Sequence, residues 1–264
     1  MDGPDQSTID PGVLQVASDV ADRLVDGGGE AVVLIGSHVR GDAYRESDID
    51  LVAIGEGPPY RLQRHGERLV SIAWRTAKAC QEDFRQPSRA GGVIPGWRKA
   101  VIIRDKTSIA AALKREAIEW TWEIISDRCD TWVPEELTGW AEEVHKLVGN
   151  LEHRRRMAAA VQRSLLAIHL ASIIAVHHRI LYDTENQLWK LVARKMGDRW
   201  ARVQRRALGL EGESFEETCS AAVELFALAA AEVRDLFDDR QYAVVSHACN
   251  IAGRPLAEDR TASS

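Results

Sequence analysis

Cysteine is scarce in this sequence, and its few copies are far apart. Only four cysteines occur in 264 residues, and none forms a Cys-x-x-Cys pair or a cluster with histidine. This spacing argues against a zinc knuckle and against a disulfide framework. The acidic N-terminus, MDGPDQSTIDPG, also lacks the basic and then apolar pattern of a secretory signal. The sequence therefore predicts a cytoplasmic protein with reduced thiols.

Long apolar runs and an excess of positive charge are missing as well. The longest apolar run, residues 165–176, is interrupted by His169 and Ser172 and is shorter than the roughly 18 residues that a membrane span needs. No membrane span is therefore predicted. Lys and Arg number 34 against 40 Asp and Glu, which gives a formal net charge of −6. This balance disfavours binding to a long nucleic acid and favours a cationic ligand in an acidic cleft.

The spacing of apolar residues divides the chain into an early part with strands and a later part with helices. After a first helix over residues 13–25, short apolar runs predict strands, whereas the segments after residue 108 have helical spacing. This order predicts an α/β (α+β) domain with a small mixed sheet, followed by an all-α helical bundle. The predicted strands cover residues 31–36, 47–55, 67–74 and 99–105. The predicted divisions are a flexible arm (1–11), the α/β domain (12–108), the helical domain (109–253) and a flexible tail (254–264).

Residues that suggest chemistry are concentrated after the first strand. Gly36 and Ser37 end that strand and are predicted to turn into a short helix, where the glycine allows close approach and the hydroxyl and N–H groups can hold phosphate oxygens. Asp48 and Asp50 are two residues apart on the next strand, so both carboxylates leave the same face. Two such carboxylates repel unless a cation lies between them, and oxygen ligands favour Mg²⁺. A phosphate site followed by a Mg²⁺ site is the layout for metal-assisted nucleotidyl transfer.

Residues 36–55, GSHVRGDAYRESDIDLVAIG, resemble the signature of the nucleotidyltransferase superfamily: Gly-Ser, a few residues, Gly, then Asp-x-Asp. With the helical second half, the chain resembles the aminoglycoside and lincosamide nucleotidyltransferases, which are antibiotic-resistance enzymes. The resemblance implies transfer of a nucleoside monophosphate, most often AMP from ATP, onto a hydroxyl of a small molecule, with release of pyrophosphate. It implies Asp48 and Asp50 as catalytic residues and Mg²⁺ ligands. The implied nucleotide-binding residues are Gly36, Ser37, Arg40, Arg45, Ser47 and Lys190.

The sequence departs from the family at a third carboxylate, which members commonly carry on the next strand. Ser71 occupies the position predicted to face the aspartates, and Glu67 lies four residues away, roughly 13 Å along the strand. Either the base comes from the helical domain, which we favour, or the metal site is reduced, or catalysis is lost and nucleotide binding is kept. The candidate bases are Glu116, Glu119 and Glu123, predicted to lie on one helix, and Glu119 is the one selected.

Two other functions stay open beside the small-molecule enzyme. One is a modifier of a protein or RNA partner, of the toxin–antitoxin class, and the other is a nucleotide-binding protein with reduced catalysis. The acidic balance makes a cationic acceptor such as an aminoglycoside reasonable. The chain is expected to be a monomer or a homodimer. The adjacent His177 and His178, on an apolar helix, are interpreted as packing residues.

Overall fold

The chain forms two compact units, Met1–Ile124 and Ile125–Ser264. The computed structural model describes residues 9–254 and residue 256. The two units divide later than the boundary predicted between residues 108 and 109, because the helix after residue 108 packs with the sheet. Lys114 on this helix donates a hydrogen bond to the Ala100 carbonyl at 2.7 Å.

The predicted flexible ends fall largely on residues 1–8, 255 and 257–264, which lie outside the described residues. Within the predicted arm, however, Ile9 is buried in the core. The first helix begins at Pro11, two residues earlier than predicted, because the Asp10 carboxylate accepts a hydrogen bond from the Gly12 N–H at 2.6 Å. An aspartate at this position satisfies N–H groups that have no partner within the helix.

Unit 1, Met1–Ile124, consists of a small sheet and the helices around it. Its described helices are α1 (Pro11–Asp26), α2 (Ser37–Arg40), α3 (Ala77–Phe84), α4 (Pro87–Lys99) and α5 (Ile109–Glu119), followed by a short 3₁₀ helix (Trp122–Ile125) that reaches the boundary with the second unit. Its described strands are β1 (Ala31–Ile35), β2 (Ile49–Ile54), β3 (Tyr60–His65), β4 (Arg68–Arg75) and β5 (Val101–Asp105).

The five strands form one mixed sheet in the order β3-β4-β2-β1-β5. Strands β2 and β4 run parallel, and the other neighbouring pairs are antiparallel. Ile49 and Leu51 of β2 are buried in a core with α1, as their alternation with the aspartates predicts. Asp50 lies between them in the chain and therefore points to the opposite face of the sheet.

The strand β3 and the helices α3 and α4 have no clear signal in the sequence. The residues of β3 are mostly polar and exposed, and a turn with Gly66 at φ +61° joins this strand to β4. Helix α4 contains the glycine-rich segment before β5 and has Pro95 inside it. It forms because its apolar side chains are buried, Trp97 and Ile94 among them, and tertiary packing outweighs the low helix propensity of Gly and Pro.

Helix α5 ends at Glu119, so Glu123 lies in the following 3₁₀ helix and not on the same helix as Glu116 and Glu119. The single helix predicted for these three glutamates is therefore wrong. The chain leaves the helical conformation at Trp120, whose indole N–H donates to the Phe84 carbonyl at 2.9 Å. The Arg98 guanidinium donates to the Ala117 carbonyl at 2.8 Å and to the Trp120 carbonyl at 2.6 Å. These contacts fix the end of α5.

Replacing Arg98 with leucine is expected to lower the free energy of unfolding of unit 1 by about 2 kcal/mol, because two backbone carbonyls lose a charged donor. Hydrogen exchange of unit 1 peptides measures this loss. Arg115→Leu, at an exposed position on α5, is the matched control and should change stability by less than about 0.5 kcal/mol. Equal effects of the two variants would refute the role of Arg98 in ending the helix.

Unit 2, Ile125–Ser264, is helical throughout its described residues apart from short connections. Two of its helices start with a complete capping box, Ser214 with Glu217 and Asp238 with Gln241, in which each side chain accepts from the backbone of the other. The helices are α6 (Ser126–Glu152), α7 (Arg156–His177), α8 (Glu185–Met196), α9 (Asp198–Ala207), α10 (Phe215–Glu232) and α11 (Asp239–Ile251).

Among the described residues, helix α7 is long and apolar enough to cross a membrane by length and composition. An 18-residue window within it has a mean hydropathy of 1.6, and half of that window is buried inside the structure. The prediction of no membrane span depends on the length of uninterrupted apolar runs, which His169 and Ser172 break. The mean hydropathy of α7 averages over these two residues and is therefore high. Core helices of globular proteins have the same composition, so this property alone assigns α7 to neither setting.

Candidate functional site

The turn after β1 has the conformation that its glycine requires. Gly36 has φ +83° and ψ −160°, a combination that is essentially restricted to glycine. A β-carbon at this position would also overlap the Asp50 carboxylate. Ser37 then begins the predicted short helix α2, which is confirmed and ends at Gly41. The first glycine of the signature is therefore needed to let the backbone lie directly against Asp50.

Asp50 lies on β2 beside Ser71 of β4, and the two residues are register partners in the sheet. The Ser71 hydroxyl donates a hydrogen bond to Asp50 Oδ1 at 2.6 Å. Burial raises the pKa of the Asp50 carboxyl above its ordinary value of 3.8, and the Asp48 charge raises it further. The hydrogen bond from Ser71 and the nearby Arg40 and His38 act in the opposite direction and lower this pKa. The pKa of Asp50 remains above its ordinary value, so these groups offset only part of the cost of burying its negative charge.

Asp48 directly precedes β2, and its negative charge raises the pKa of Asp50. Both side chains are half-buried. The Asp48 charge disfavours ionisation of Asp50, whose Oδ1 already accepts a hydrogen bond from a hydroxyl, and the two carboxylates form a set of hard oxygen donors that a cation would stabilise. The residues present therefore fit a Mg²⁺ ion. The donors are the Asp48 carboxylate and the Asp50 carboxylate.

Ser71, and not a carboxylate, lies beside Asp50 on β4, as the sequence predicts. Ser71 is buried, with 8% of its surface exposed, and its hydroxyl donates its hydrogen bond to Asp50. Glu67 lies before the first residue of β4, in the turn that follows β3. The position next to Asp50 thus contains a hydrogen-bond donor and not an acid.

Replacing Ser71 with alanine is expected to destabilise unit 1 by about 2 kcal/mol, because the partly buried Asp50 carboxylate loses its hydroxyl donor. The same change should raise the pKa of Asp50 further. A double-mutant cycle of Ser71→Ala with Asp50→Ala, followed by urea unfolding, isolates the contact. A coupling energy near zero would contradict this account of the Ser71 hydroxyl.

The signature loop contains the other residues predicted to bind nucleotide in unit 1. Arg40 is mostly buried and pairs with Asp42 at 3.2 Å, and its charge lowers the pKa of Asp50. Arg45 is exposed in the turn before Ser47. The Ser47 hydroxyl accepts a hydrogen bond from the Tyr44 N–H at 2.8 Å and so closes the loop. Arg40 is thus near the aspartates, whereas Ser47 contributes to the shape of the loop.

His38 is a residue of this site to which the sequence gives only secondary weight. Its Nε2 atom is buried and has no hydrogen-bond partner. Its charge lowers the pKa of both Asp50 and Asp10, so the imidazole lies between the aspartate site and the start of α1. Its position within the signature was the available signal, but the spacing of the motif does not show which way the ring points.

The remaining predicted residues lie away from the signature in the chain. Glu119 is exposed at the C-terminal end of α5, whereas Glu116 accepts a hydrogen bond from the Gln81 side chain at 2.9 Å. Because Arg98, just before β5, contacts the end of α5, Glu119 lies at the end of the sheet where β5 begins and β1 ends. This is the end that carries Gly36. Lys190 is exposed on α8 and belongs to unit 2.

Comparison with protein families agrees with this geometry. Residues 15–138 match the family model of the nucleotidyltransferase domain, and the matched region includes Gly36, Asp48 and Asp50 together with the five strands. These residues therefore form a nucleotidyltransferase domain. The match supports nucleotidyl transfer as the general activity and a transferase of the nucleotidyltransferase type.

A solved structure has the same fold over most of its length. The nucleotidyltransferase-like protein from Exiguobacterium sibiricum 255-15 superposes with a TM-score of 0.52 at 12% identity, over 90% of this chain and 80% of that chain. At such low identity the similarity concerns the fold alone. No curated protein matches the chain. The predicted fold class, a small mixed sheet with a nucleotidyltransferase domain followed by helices, is confirmed.

Proposed function

We propose that this protein is a Mg²⁺-dependent nucleotidyltransferase that moves AMP from ATP onto a hydroxyl of a small molecule and releases pyrophosphate. The observation that carries the proposal is the Asp50 carboxylate, partly buried, with a raised pKa and placed against the Gly36 turn and the Ser71 hydroxyl. A half-buried carboxylate whose charge is disfavoured is suited to a cation, and its position follows the family's signature. Mg²⁺ bound there would neutralise charge on the triphosphate.

The protein's own groups have separate tasks in this proposal. Asp48 and Asp50 hold the cation, and the Ser71 hydroxyl keeps the Asp50 carboxylate in one orientation. Gly36, Ser37 and Arg40 bind the triphosphate, with Arg45 at the exposed edge of the loop and Ser47 closing it. Lys190, on α8, is also proposed to bind nucleotide. Glu119 is the proposed base that accepts the proton of the acceptor hydroxyl. Its exposure at the Gly36 end of the sheet supports this role.

The acceptor is proposed to be a small hydroxylated cation of the aminoglycoside type. The net charge of −6 supports this choice, because an acidic protein concentrates cations near its surface. An antibiotic-resistance role is proposed on the same ground, and the protein is proposed to act in the cytoplasm as a monomer or a homodimer.

The decisive experiment measures pyrophosphate release with each of the four nucleoside triphosphates and Mg²⁺, in separate reactions with aminoglycosides, lincosamides and nucleosides. We expect release with ATP and an aminoglycoside, together with a mass increase of one AMP on the acceptor. Asp48→Asn should abolish both signals. Binding of Mg²⁺–ATP without release in any reaction would overturn transfer onto a small molecule and favour either a protein that only binds nucleotide or one that modifies a protein.

A second candidate function, modification of a protein partner, is favoured by the strand next to Ser71. On the sheet face that carries Asp50, Leu62 of β3 is the register partner of Ser71 and is 52% exposed. Two strand spacings place it about 10 Å from Asp50. Leu69 and Tyr60 lie exposed on the same face, and β3 is an edge strand. Such an apolar edge can bind another chain.

The two functions are distinguished by a substitution on this edge. Leu62→Ser should reduce transfer of labelled AMP onto a protein acceptor and leave transfer onto a small acceptor unchanged. Gln63→Ser, on the other face of β3, serves as the control. If no protein is labelled in the presence of Mg²⁺ and ATP, the second candidate fails and the first is unaffected.

A further inference from the structure

Unit 2 contains a group of two histidines and one glutamate that the nucleotidyltransferase site does not use. His177 is the last residue of α7, His178 follows it directly, and Glu232 is the last residue of α10. One potential ligand atom from each side chain lies within 4.8 Å of the other two. Within residues 9–254 and 256, this is the one group of three or more His, Cys, Asp or Glu side chains that is close enough to share an ion.

One pair of ligand atoms, from His178 and Glu232, is near the spacing that a tetrahedral metal ion requires, and the other pairs lie within 4.8 Å. Ligands about 2.1 Å from a tetrahedral ion lie roughly 3.4 Å from one another. His178 Nε2 lies 3.0 Å from Glu232 Oε1. This contact is close enough for an ion pair, but its direction does not satisfy a hydrogen bond, and the buried Nε2 has no hydrogen-bond partner. An imidazole nitrogen and a carboxylate oxygen that face each other at 3.0 Å without a well-directed hydrogen bond are an arrangement that a shared metal ion would stabilise.

Electrostatics at this point also favour a cation. Helices α7 and α10 both end here, and the C-terminal end of a helix carries a partial negative charge. Burial lowers the pKa of both His177 and His178, whereas the Glu232 charge raises it. The other charged neighbours are Asp130, which pairs with Arg179 at 2.6 Å, and Lys195, whose charge opposes a cation.

We propose that His177, His178 and Glu232 bind a divalent transition-metal ion, with Zn²⁺ as the best match to this ligand set. Two imidazoles and one carboxylate are ligands of Zn²⁺ and similar ions, whereas Mg²⁺ prefers oxygen ligands alone. Three protein ligands leave a fourth coordination position for water. The ion would join the ends of α7 and α10. This site is separate in the chain from Asp48 and Asp50, and it does not depend on the proposed nucleotidyl transfer.

The test is a Zn²⁺ titration of the full chain against a coloured chelator, with millimolar Mg²⁺ present so that the aspartate pair does not contribute. We expect one Zn²⁺ per chain and a higher melting temperature with the ion. Glu232→Gln should weaken the affinity at least about tenfold, and His178→Gln by more. Co²⁺ bound in place of Zn²⁺ should give visible absorption without thiolate bands, since no cysteine belongs to the group.

A matched control is available in the same unit. His145 and His247 form another close imidazole pair, with ring centroids 5.1 Å apart, and lie outside the three-residue group. His145→Gln should leave Zn²⁺ affinity unchanged. Glu232 is exposed, so Glu232→Gln keeps the proposal testable even if a histidine variant fails to fold. Absence of Zn²⁺ binding, or equal affinity in the wild type, Glu232→Gln and His145→Gln, would overturn the proposal.

Discussion

Replacing Asp50 with asparagine is expected to reduce pyrophosphate release about 10³-fold or more, while unit 1 remains at least as stable as the wild type without Mg²⁺ at pH 7. The activity falls because the neutral amide no longer attracts the cation. Stability does not fall because the pKa of Asp50 is raised in the folded state, mainly by burial. A carboxyl whose folded pKa exceeds its unfolded pKa destabilises the fold when it is ionised. The amide also keeps an oxygen that can accept the Ser71 hydrogen bond.

Because only the ionised Asp50 carboxylate destabilises the fold, the difference in stability between Asp50→Asn and the wild type depends on pH. The stability advantage of Asp50→Asn should be full at pH 7 and should narrow as the pH falls towards 3.8, where the folded-state carboxyl is already mostly protonated. Urea unfolding at several pH values measures the difference, and pyrophosphate release measures activity.

Asp22→Asn is the control for the Asp50 variant, because it removes the same charge from an exposed aspartate of α1. The Arg104 hydrogen bond lowers the pKa of Asp22, so this variant should lose stability slightly at pH 7 and keep its activity. A large stability loss in Asp50→Asn would contradict the raised pKa. Full activity in that variant would remove Asp50 from the catalytic site.

The sequence predicts the site well where the signal is local and poorly where it depends on packing. The strand positions of Asp50 and Ser71 follow from alternation along β2 and β4, and the structure places these two residues side by side. Alternation also predicts which face of β2 is buried. These properties depend on neighbours two residues apart, which a single sequence displays directly.

The prediction of helix α5 shows what a local pattern leaves out. Helical spacing alone places Glu123 on the helix of Glu119, but the Arg98 contacts and the buried Trp120 indole end that helix first. Arg98 precedes Trp120 by 22 residues, so no window of local sequence contains the cause. The proximity of His178 and Glu232 also depends on packing between segments that are far apart in the sequence. The third member of the group, Glu232, lies more than 50 residues after the histidine pair that is interpreted from the sequence as packing.

Replacing Gly36 with alanine is expected to destabilise unit 1 by about 4 kcal/mol and to abolish transfer. Two costs combine. The backbone conformation at φ +83° and ψ −160° costs a non-glycine residue about 1–3 kcal/mol, and the added β-carbon overlaps the Asp50 carboxylate, where forced repacking costs about 1–3 kcal/mol more. Hydrogen exchange of the β2 peptides and pyrophosphate release measure the two losses.

Gly41→Ala is the comparison variant, because Gly41 also has a positive φ, +81°, but nothing lies within 4 Å of an added β-carbon. Its loss should be limited to the left-handed conformation, about 1 kcal/mol. The difference between the variants, about 3 kcal/mol, then measures the overlap with the Asp50 carboxylate together with the greater backbone strain at Gly36. If both variants lose the same stability, Gly36 serves only the backbone turn. A larger loss at Gly36 means that this position requires glycine also because a β-carbon there would occupy the space of the Asp50 carboxylate.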